Sequence, residues 1–417
     1  MLDITQLNAS LSTKANPNGK LAPPWKFDSS AKLPLSSLAT AAKPTVTWRV
    51  TRSCNLNGLT YRYDWRGRRE RPELSTVEAL ALIGDLAAFQ VPRLLLAGGE
   101  PLLRDDLTEL VAYATDVRVP AAILTSGTLL SRDRASELQF AGLQSVVILQ
   151  STGCAIDRLR GLRGGFAGVL EAYENCESAG LAAEIRIPLN YSNYPELDGL
   201  LDLIERRRIR KVVFAHLVYT NRGNKPQDDL THEEKRRAMD LILDRAEDFH
   251  RRGIAIEIST DENHVDGIYF HLKLARKDPV HAAALYRLLP EYGAALQGAG
   301  VGIAGIDSVG NVHPDPYWAS HILGNVRETP FSEIWEKSSD ALLRGLRDRL
   351  PLLKGACANC LWKQPCGGNL RVRAAEYFHD PWTSDPACYL TNKEISKEVI
   401  DNVEAMEDDV LLKEQAA

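Results

Sequence analysis

Four cysteines near the carboxyl end of the chain have a spacing that suits a metal centre. Their pattern, C-x2-C-x5-C-x21-C, places the first two thiols three positions apart, so one tight turn can present both to the same centre. Four thiolates bind either a tetrahedral zinc ion or a four-iron cluster, and the spacing leaves both alternatives open. The predicted ligands are Cys357, Cys360, Cys366 and Cys388.

A further cysteine, Cys54, lies in the stretch TRSCNLNGLTYRYDW, which begins like an iron–sulfur loop. In such a loop cysteine recurs four and then three positions later, where this chain has Gly58 and Tyr61. Glycine has no ligating side chain, and a tyrosine phenolate, with an ordinary pKa of about 10, is a hard ligand poorly matched to a sulfide cluster. Cys154 and Cys176 are candidate replacements, although an inert core role is the commoner one for such cysteines. Cys54 is therefore predicted to be a vestigial cluster ligand.

Seven short apolar runs alternate with segments of helical period, which predicts β–α units in series. Two helical segments begin with S/T-x-x-E capping boxes, Ser75 with Glu78 and Thr231 with Glu234. Such units require parallel strands with right-handed crossovers, and nearly continuous apolar runs are typical of strands buried on both faces. The runs are VTWRVTR (46–52), RLLLAGG (93–99), AAILTSG (121–127), VVILQSTG (146–153), AEIRIPLN (183–190), KVVFAHLVY (211–219) and IAIEIST (254–260).

The residues that end these runs indicate where a ligand would bind. Nearly every run ends in small or hydrogen-bonding residues. Because ligands of parallel α/β proteins bind at the carboxyl ends of the strands, one site lined by many strands is predicted. Periodicity alone does not distinguish a doubly wound sheet from a full or partial barrel. The terminal residues are Arg52, Ser53, Cys54, Gly98–Glu100, Thr125–Gly127, Gln150–Thr152, Asn190, His216 and Tyr219.

Taken together, these motifs resemble the radical S-adenosylmethionine (SAM) superfamily. RSCNLN follows the first strand, GGEPLLRDDL the second, TSG the third and RLRGLRGGF the fourth, and the four-cysteine segment resembles the auxiliary-cluster extension called SPASM. More narrowly, FAHLVYTNRG, STDENHVDGIYFHL, GVGIAGIDSVGNVHPDPYW and LGNVRETPFSEIW are similar to the radical enzymes of heme d1 biosynthesis and their relatives in the alternative heme pathway. That group acts on iron-containing tetrapyrroles.

The resemblance implies an α/β fold, namely a partial (β/α)6 barrel of the TIM type with a small C-terminal auxiliary-cluster domain. The expected divisions are a flexible arm over residues 1–44, the barrel over 45–260, a bridging substrate-side region over 261–345, the SPASM-like domain over 346–395 and an acidic tail over 396–417.

The resemblance also implies roles for individual residues. Cys54 matches the first ligand of the four-iron cluster that cleaves SAM, and the four C-terminal cysteines match the ligands of an auxiliary four-iron cluster. Thr152 departs from the pattern, because an aspartate is usual at that position. The predicted SAM contacts, of which the first three match the loop that receives the methionine amino group, are Gly98, Gly99, Glu100, Ser126 and Ser151.

Three functions remain open at this point. The first is a non-radical tetrapyrrole-binding protein, or a partner of an intact radical SAM paralogue, that retains one C-terminal four-iron cluster. The second is an enzyme that modifies tetrapyrrole propionate side chains or another substrate by an unusual cluster or by non-radical chemistry. The third is a zinc-stapled scaffold. For the second, the candidate acid–base groups or axial iron ligands are Tyr61, His216, Tyr219, His264 and His313.

Composition excludes several other classes. The net charge of −5 gives no general affinity for nucleic acid. No apolar run reaches the roughly 18 residues of a membrane span, and the first 45 residues lack the apolar core of a secretory signal. Seven cysteines in 417 residues are too sparse for a disulfide scaffold. We therefore expect a cytoplasmic protein, and the resemblance implies that its partner is a small molecule of the tetrapyrrole type.

Overall fold

The computed structural model describes residues 1–5, 7, 43–56, 71–149, 166–219, 226–292 and 298–396. Within these ranges eleven strands form one sheet. They are β1 (Leu2–Asp3), β2 (Thr45–Thr51), β3 (Leu94–Gly98), β4 (Ala121–Thr125), β5 (Ser145–Leu149), β6 (Ala182–Leu189), β7 (Lys211–His216), β8 (Glu257–Asp261), β9 (Ile303–Ile306), β10 (Asn311–His313) and β11 (Gly324–Asn325).

The strand order is β1-β8-β7-β6-β5-β4-β3-β2-β9-β10-β11, and neighbours from β8 through to β9 are parallel. Strands β2 to β8 are adjacent in chain order, as β–α units in series require. The sheet is not closed, because β8 pairs on its other edge with β1 and β2 pairs with β9. The prediction of an α/β partial barrel is confirmed.

Helices connect and cover the strands. Both predicted capping boxes are present. The Ser75 and Thr231 side chains each accept a hydrogen bond from the backbone N–H of the third helical residue, and the Glu78 and Glu234 carboxylates accept one from the backbone N–H of Ser75 and Thr231, respectively. The helices are α1 (Thr76–Ala88), α2 (Leu107–Asp116), α3 (Arg132–Phe140), α4 (Phe166–Ser178), α5 (Leu197–Arg206), α6 (His232–Arg251), α7 (Val265–Ala275), α8 (Pro279–Tyr292), α9 (Phe331–Lys337), α10 (Ala341–Arg347), α11 (Lys363–Cys366), α12 (Arg371–Phe378) and α13 (Asn392–Ile395).

The two faces of the sheet have different environments. On β6, Ile185, Ile187 and Leu189 belong to the main hydrophobic core that the helices cover. Because side chains alternate along a strand, Glu184 and Arg186 point to the opposite, inner face. Polar side chains on an otherwise apolar strand therefore line the inside of the partial barrel.

A buried ion pair connects the C-terminal region to the barrel. Arg373 of α12 and Asp385 are fully buried and paired at 3.1 Å, and Arg373 also donates to the carbonyl oxygen of Leu217, just after β7. A small second core, which includes Val218 and Trp318, fills the same junction. In the part of the chain that the structure describes, no helix has the length and apolar character needed to cross a membrane. The predicted domain boundaries stay predictions.

Candidate functional site

The loops that follow β2 and β3 are in close backbone contact. Gly99 N–H donates to Thr51 O at 2.9 Å, and Glu100 N–H donates to Ser53 O at 2.7 Å. A Cβ on Gly99 would lie 2.2 Å from Ser53 O, and one on Gly98 would lie 2.5 Å from Thr51 O. Real Cβ atoms do not approach backbone oxygens so closely, so both positions require glycine. These contacts place the loop of Cys54 beside the Gly-Gly-Glu segment.

Glu100 connects this pair of loops to the end of β4. Its carboxylate, which is buried, accepts from Thr125 Oγ1 at 2.7 Å and Leu102 N at 3.2 Å through Oε1. Through Oε2 it accepts from Ser126 N at 3.0 Å and Ser126 Oγ at 2.7 Å. A carboxylate has about four acceptor positions, so the protein's own donors fill its capacity. Glu100 therefore positions the loop, and its predicted contact with the methionine amino group stays a prediction.

The loop of Cys54 also contacts the end of β4 directly. Asn55 Nδ2 donates to Thr128 Oγ1 at 2.9 Å, and Thr128 Oγ1 lies 2.9 Å from Ser126 Oγ. The Cys54 thiol is exposed and accepts from Leu56 N at 3.4 Å. The structure thus brings together Cys54 and four of the predicted SAM contacts, Gly98, Gly99, Glu100 and Ser126. Gly58, Tyr61, Ser151, Thr152 and Cys154 lie outside the described residues.

Cys176 is not available as a replacement ligand. It lies on α4 and is completely buried in the main hydrophobic core. Burial raises the pKa of its thiol to about 12, which disfavours the thiolate that binds metal. Cys176 is therefore an inert core residue.

The four C-terminal cysteines come from separate short elements but influence one another. Burial raises the pKa of the Cys360, Cys366 and Cys388 thiols, that of Cys388 to about 12, and the other cysteines add to the effect on Cys366. Buried thiols without a counter-charge resist deprotonation, whereas a bound metal supplies that charge. The donor set fits a four-thiolate centre.

A zinc site and a four-iron cluster require different spacing of the four C-terminal cysteine sulfur atoms. Tetrahedral zinc with Zn–S bonds of about 2.3 Å requires sulfur atoms about 3.8 Å apart. Among the described residues, no three His, Cys, Asp or Glu side chains are arranged to hold one metal ion. A four-iron cluster, in which each cysteine binds a different iron, tolerates wider spacing. The choice between a four-iron cluster and zinc at these cysteines stays a prediction.

His216 belongs to a buried network at the end of β7. Its Nε2 lies 3.0 Å from Oδ2 of Asp266, and Tyr389 OH donates to the other carboxylate oxygen of Asp266 at 2.7 Å. All three side chains are buried, and the Tyr389 and His216 rings are stacked. This network joins the barrel to the residue that follows Cys388, and the predicted catalytic or iron-ligating role of His216 stays a prediction.

The other predicted acid–base candidates also have hydrogen-bond partners. Tyr219 OH donates to Asp229 Oδ2 at 2.6 Å, and burial and the Asp229 charge raise the pKa of Tyr219. His313 Nδ1 lies 2.8 Å from the carbonyl oxygen of His321. His264 precedes α7, and its main-chain N–H donates to Asn369 Oδ1 at 2.8 Å. The predicted catalytic or iron-ligating roles of these three residues stay predictions.

A cluster of charged residues inside the barrel is the feature that sequence reasoning missed. Arg186 Nη1 lies 2.7 Å from Asp261 Oδ2, and Arg186 Nη2 lies 2.7 Å from Glu262 Oε1. Tyr317 OH donates to the same Glu262 oxygen at 2.8 Å. Asp315, also buried, accepts from Tyr317 N at 2.7 Å. The sequence signal was a lone arginine in the apolar run AEIRIPLN, which places a charge on an inner face.

Comparisons with known proteins agree with this geometry. The family model described as the radical SAM superfamily matches residues 52–204. Fe-coproporphyrin III synthase of Methanosarcina barkeri is 42% identical over 88% of this chain and 93% of its own length. Pre-heme d1 synthase of Dinoroseobacter shibae is 38% identical over 84% of this chain and 87% of its own. Among solved structures, SuiB of Streptococcus suis bound to S-adenosylmethionine aligns with a TM-score of 0.64 at 16% identity, covering 84% of this chain and 78% of SuiB.

Proposed function

Because the chain belongs to the radical SAM superfamily, we propose that it is a tetrapyrrole-binding member that retains one C-terminal four-iron cluster and does not generate radicals. The observation that carries the tetrapyrrole assignment is the similarity to Fe-coproporphyrin III synthase, which extends over 88% of this chain. Pre-heme d1 synthase, a second relative named for a heme-type compound, supports the same class of ligand. The inner face of the partial barrel at the carboxyl ends of its strands is the proposed binding surface, because ligands of parallel α/β proteins bind at those ends.

The loop of Cys54 is the reason for proposing that radical generation is absent. In this superfamily a cluster on three cysteines supplies the electron that cleaves SAM. Gly58 and Tyr61 occupy the positions of two of those cysteines, and Cys176 is a core residue. One thiol does not provide the ligand set of such a cluster. The Gly98–Gly99 approach to the β2 loop is preserved, so SAM binding without cleavage is part of the proposal.

The C-terminal site is proposed as the iron–sulfur centre, held by Cys357, Cys360, Cys366 and Cys388. Such a centre would contribute redox capacity and would fix the short helices around it. An intact radical SAM paralogue is the proposed protein partner, because it would supply the chemistry that this chain lacks.

A second candidate function, acid–base catalysis on the same ligand, is favoured by the charged cluster. Asp315 is buried and Glu262 is half-buried, both have raised pKa values at the inner face of the barrel, and such groups concentrate at functional sites. This candidate keeps the tetrapyrrole ligand and replaces radical chemistry with proton transfer.

Two measurements on the anaerobically purified protein test the proposal. Titration with iron coproporphyrin III should give a saturable change in the Soret absorbance at one equivalent per chain; absence of binding would contradict the tetrapyrrole assignment. Incubation with dithionite and SAM should give no 5′-deoxyadenosine above a control without protein. The matched positive control is the double variant Gly58→Cys/Tyr61→Cys. Formation of 5′-deoxyadenosine by the unmodified chain would contradict the non-radical part of the proposal.

A further inference from the structure

The Arg186 guanidinium joins the inner face of β6 to the carboxylates that end β8. Each of its two terminal nitrogens makes a 2.7 Å ion pair, one with Asp261 and one with Glu262. A guanidinium carries five N–H groups, so two bonds leave donor capacity for a further carboxylate in the same planar fork. Tyr317, which donates to Glu262, adds a hydroxyl beside the same position. The cluster therefore has the donors that recognise a carboxylate.

Two carboxyl groups in the cluster are poised to hold a proton. Burial and the neighbouring Asp261 charge raise the pKa of Glu262, and burial raises the pKa of Asp315 to about 7. Asp261 differs, because its pKa is lowered. Burial alone would raise it, but the positive charges of the Met1 amino terminus and of Arg186 outweigh that effect. Arg186 pairs with both carboxylates at 2.7 Å, and Glu262, whose pKa is raised, is the one of the two that we expect to take up a proton.

The charges that face Glu262 come from several elements. Arg186 approaches from β6 and Asp261 precedes it on β8. Asp315 and Tyr317 approach from the segment after β10. The positive charge of Arg373 on α12 partly opposes the rise in the pKa of Glu262. Arg49 on β2 donates to the carbonyl oxygen of Pro316 at 2.8 Å, and its positive charge partly opposes the rise in the pKa of Asp315. The cluster thus has three arginines and three carboxyl groups, of which Arg373 is already paired with Asp385.

From this arrangement, and resting on the tetrapyrrole-binding function proposed above, we infer that Arg186 and Tyr317 bind a carboxylate side chain of the ligand while Glu262 and Asp315 together take up one proton. An incoming carboxylate adds negative charge to the cluster, and protonation of Glu262 removes one negative charge. The Arg186 Nη2 and Tyr317 O–H groups, which both donate to Oε1 of Glu262 in the free protein, can then donate to the incoming carboxylate instead. The proton comes from solvent, and no bond other than the O–H bond forms.

The pH dependence has a definite sign. If ligand binding raises the affinity of the carboxyl pair for a proton, ligand affinity is highest at low pH, where the pair is already protonated. It falls as pH rises above the pKa values of the free cluster, which lie above the ordinary values of Glu and Asp. The dissociation constant should rise by up to about tenfold per pH unit in that range.

The test compares two ligands that differ only in their carboxylates, iron coproporphyrin III and its tetraamide. The unmodified protein should bind the tetracarboxylate at least about tenfold more tightly at pH 6, as expected for a charge-assisted pair with arginine. Titration calorimetry at about pH 8, above the pKa of about 7 of Asp315 in the free protein, in buffers of different ionisation enthalpy should show proton uptake with the tetracarboxylate and none with the tetraamide. Equal affinities, or no proton uptake, would overturn the inference. Failure of both ligands to bind would instead contradict the proposed function.

Variants assign the effect to the cluster. Glu262→Gln should reduce proton uptake and flatten the pH dependence, whereas Arg186→Gln should lower tetracarboxylate affinity to that of the tetraamide. The matched control is Lys211→Gln, because Lys211 pairs with Glu184 at 3.3 Å at the opposite end of the barrel and should leave both readouts unchanged. Circular dichroism checks that each variant is folded. Equal changes in the Arg186 and Lys211 variants would also overturn the inference.

Discussion

Replacement of Gly99 by alanine tests the closest contact in the candidate site. The new Cβ would lie 2.2 Å from Ser53 O and 2.6 Å from Arg52 O, and both are backbone atoms that cannot rotate away. Forced overpacking costs typically about 1 to 3 kcal/mol. If the loops separate, the bonds Gly99 N–Thr51 O and Glu100 N–Ser53 O weaken, at about 1 kcal/mol each. We therefore expect a loss of about 3 kcal/mol in the free energy of unfolding.

The matched control for this prediction is Gly199→Ala. Gly199 lies within α5, and a Cβ there would meet nothing within 4 Å. Alanine should stabilise that helix by about 0.5 to 1 kcal/mol. The assay is urea unfolding followed by circular dichroism, with SAM binding by calorimetry as a second readout. A Gly99→Ala protein with an unfolding midpoint equal to or above that of the unmodified chain would refute the close-approach argument.

Three further predictions concern buried polar groups. Glu100→Gln leaves the two Ser126 donors facing an amide nitrogen, so the free energy of unfolding should fall by about 2 kcal/mol in urea unfolding; no change would mean that these bonds do not stabilise the loop. Arg373→Met leaves the fully buried Asp385 charge unpaired and should cost about 3 to 5 kcal/mol, measured in the same way, while full stability would contradict the paired geometry. Because the pKa of Asp315 is raised to about 7, its stabilising contribution is present below about pH 4 and is lost as pH rises through 7. The free energy of unfolding of Asp315→Asn should therefore increase relative to that of the unmodified chain between about pH 4 and pH 8. A difference between the two proteins that does not change with pH would contradict this prediction.

The parallel strands could be predicted because a strand that is buried on both faces has a nearly continuous run of apolar residues in the sequence. The runs VTWRVTR (46–52) and AAILTSG (121–127) correspond to β2 and β4. The predicted and observed ends of these strands differ by no more than two residues. The run IAIEIST begins earlier than β8, because Ile256 N–H donates to Ile254 O in a turn and pairing with β7 begins only at Glu257. Strands β1 and β9 could not be predicted, because their pairing depends on partners far away in the chain.

The candidate site was predictable only in part. The resemblance selected Gly98, Gly99 and Glu100, and the structure adds the physical reason for the glycines. It also gives Glu100 a hydrogen-bonding role that no motif conveys, because its donors come from β4. The charged cluster could not be predicted, since its members approach from five separate parts of the chain and each alone is typical of an ordinary polar residue.

The measurement that tests the central claim most directly is the iron and sulfide content per chain after anaerobic reconstitution. The account predicts about four irons, unchanged in Cys54→Ala and lost in Cys357→Ala/Cys360→Ala, because one four-iron cluster occupies the C-terminal cysteines. Restoring cysteine with Gly58→Cys/Tyr61→Cys should raise the content toward about eight. About eight irons in the unmodified chain, or loss of iron in Cys54→Ala, would contradict the account.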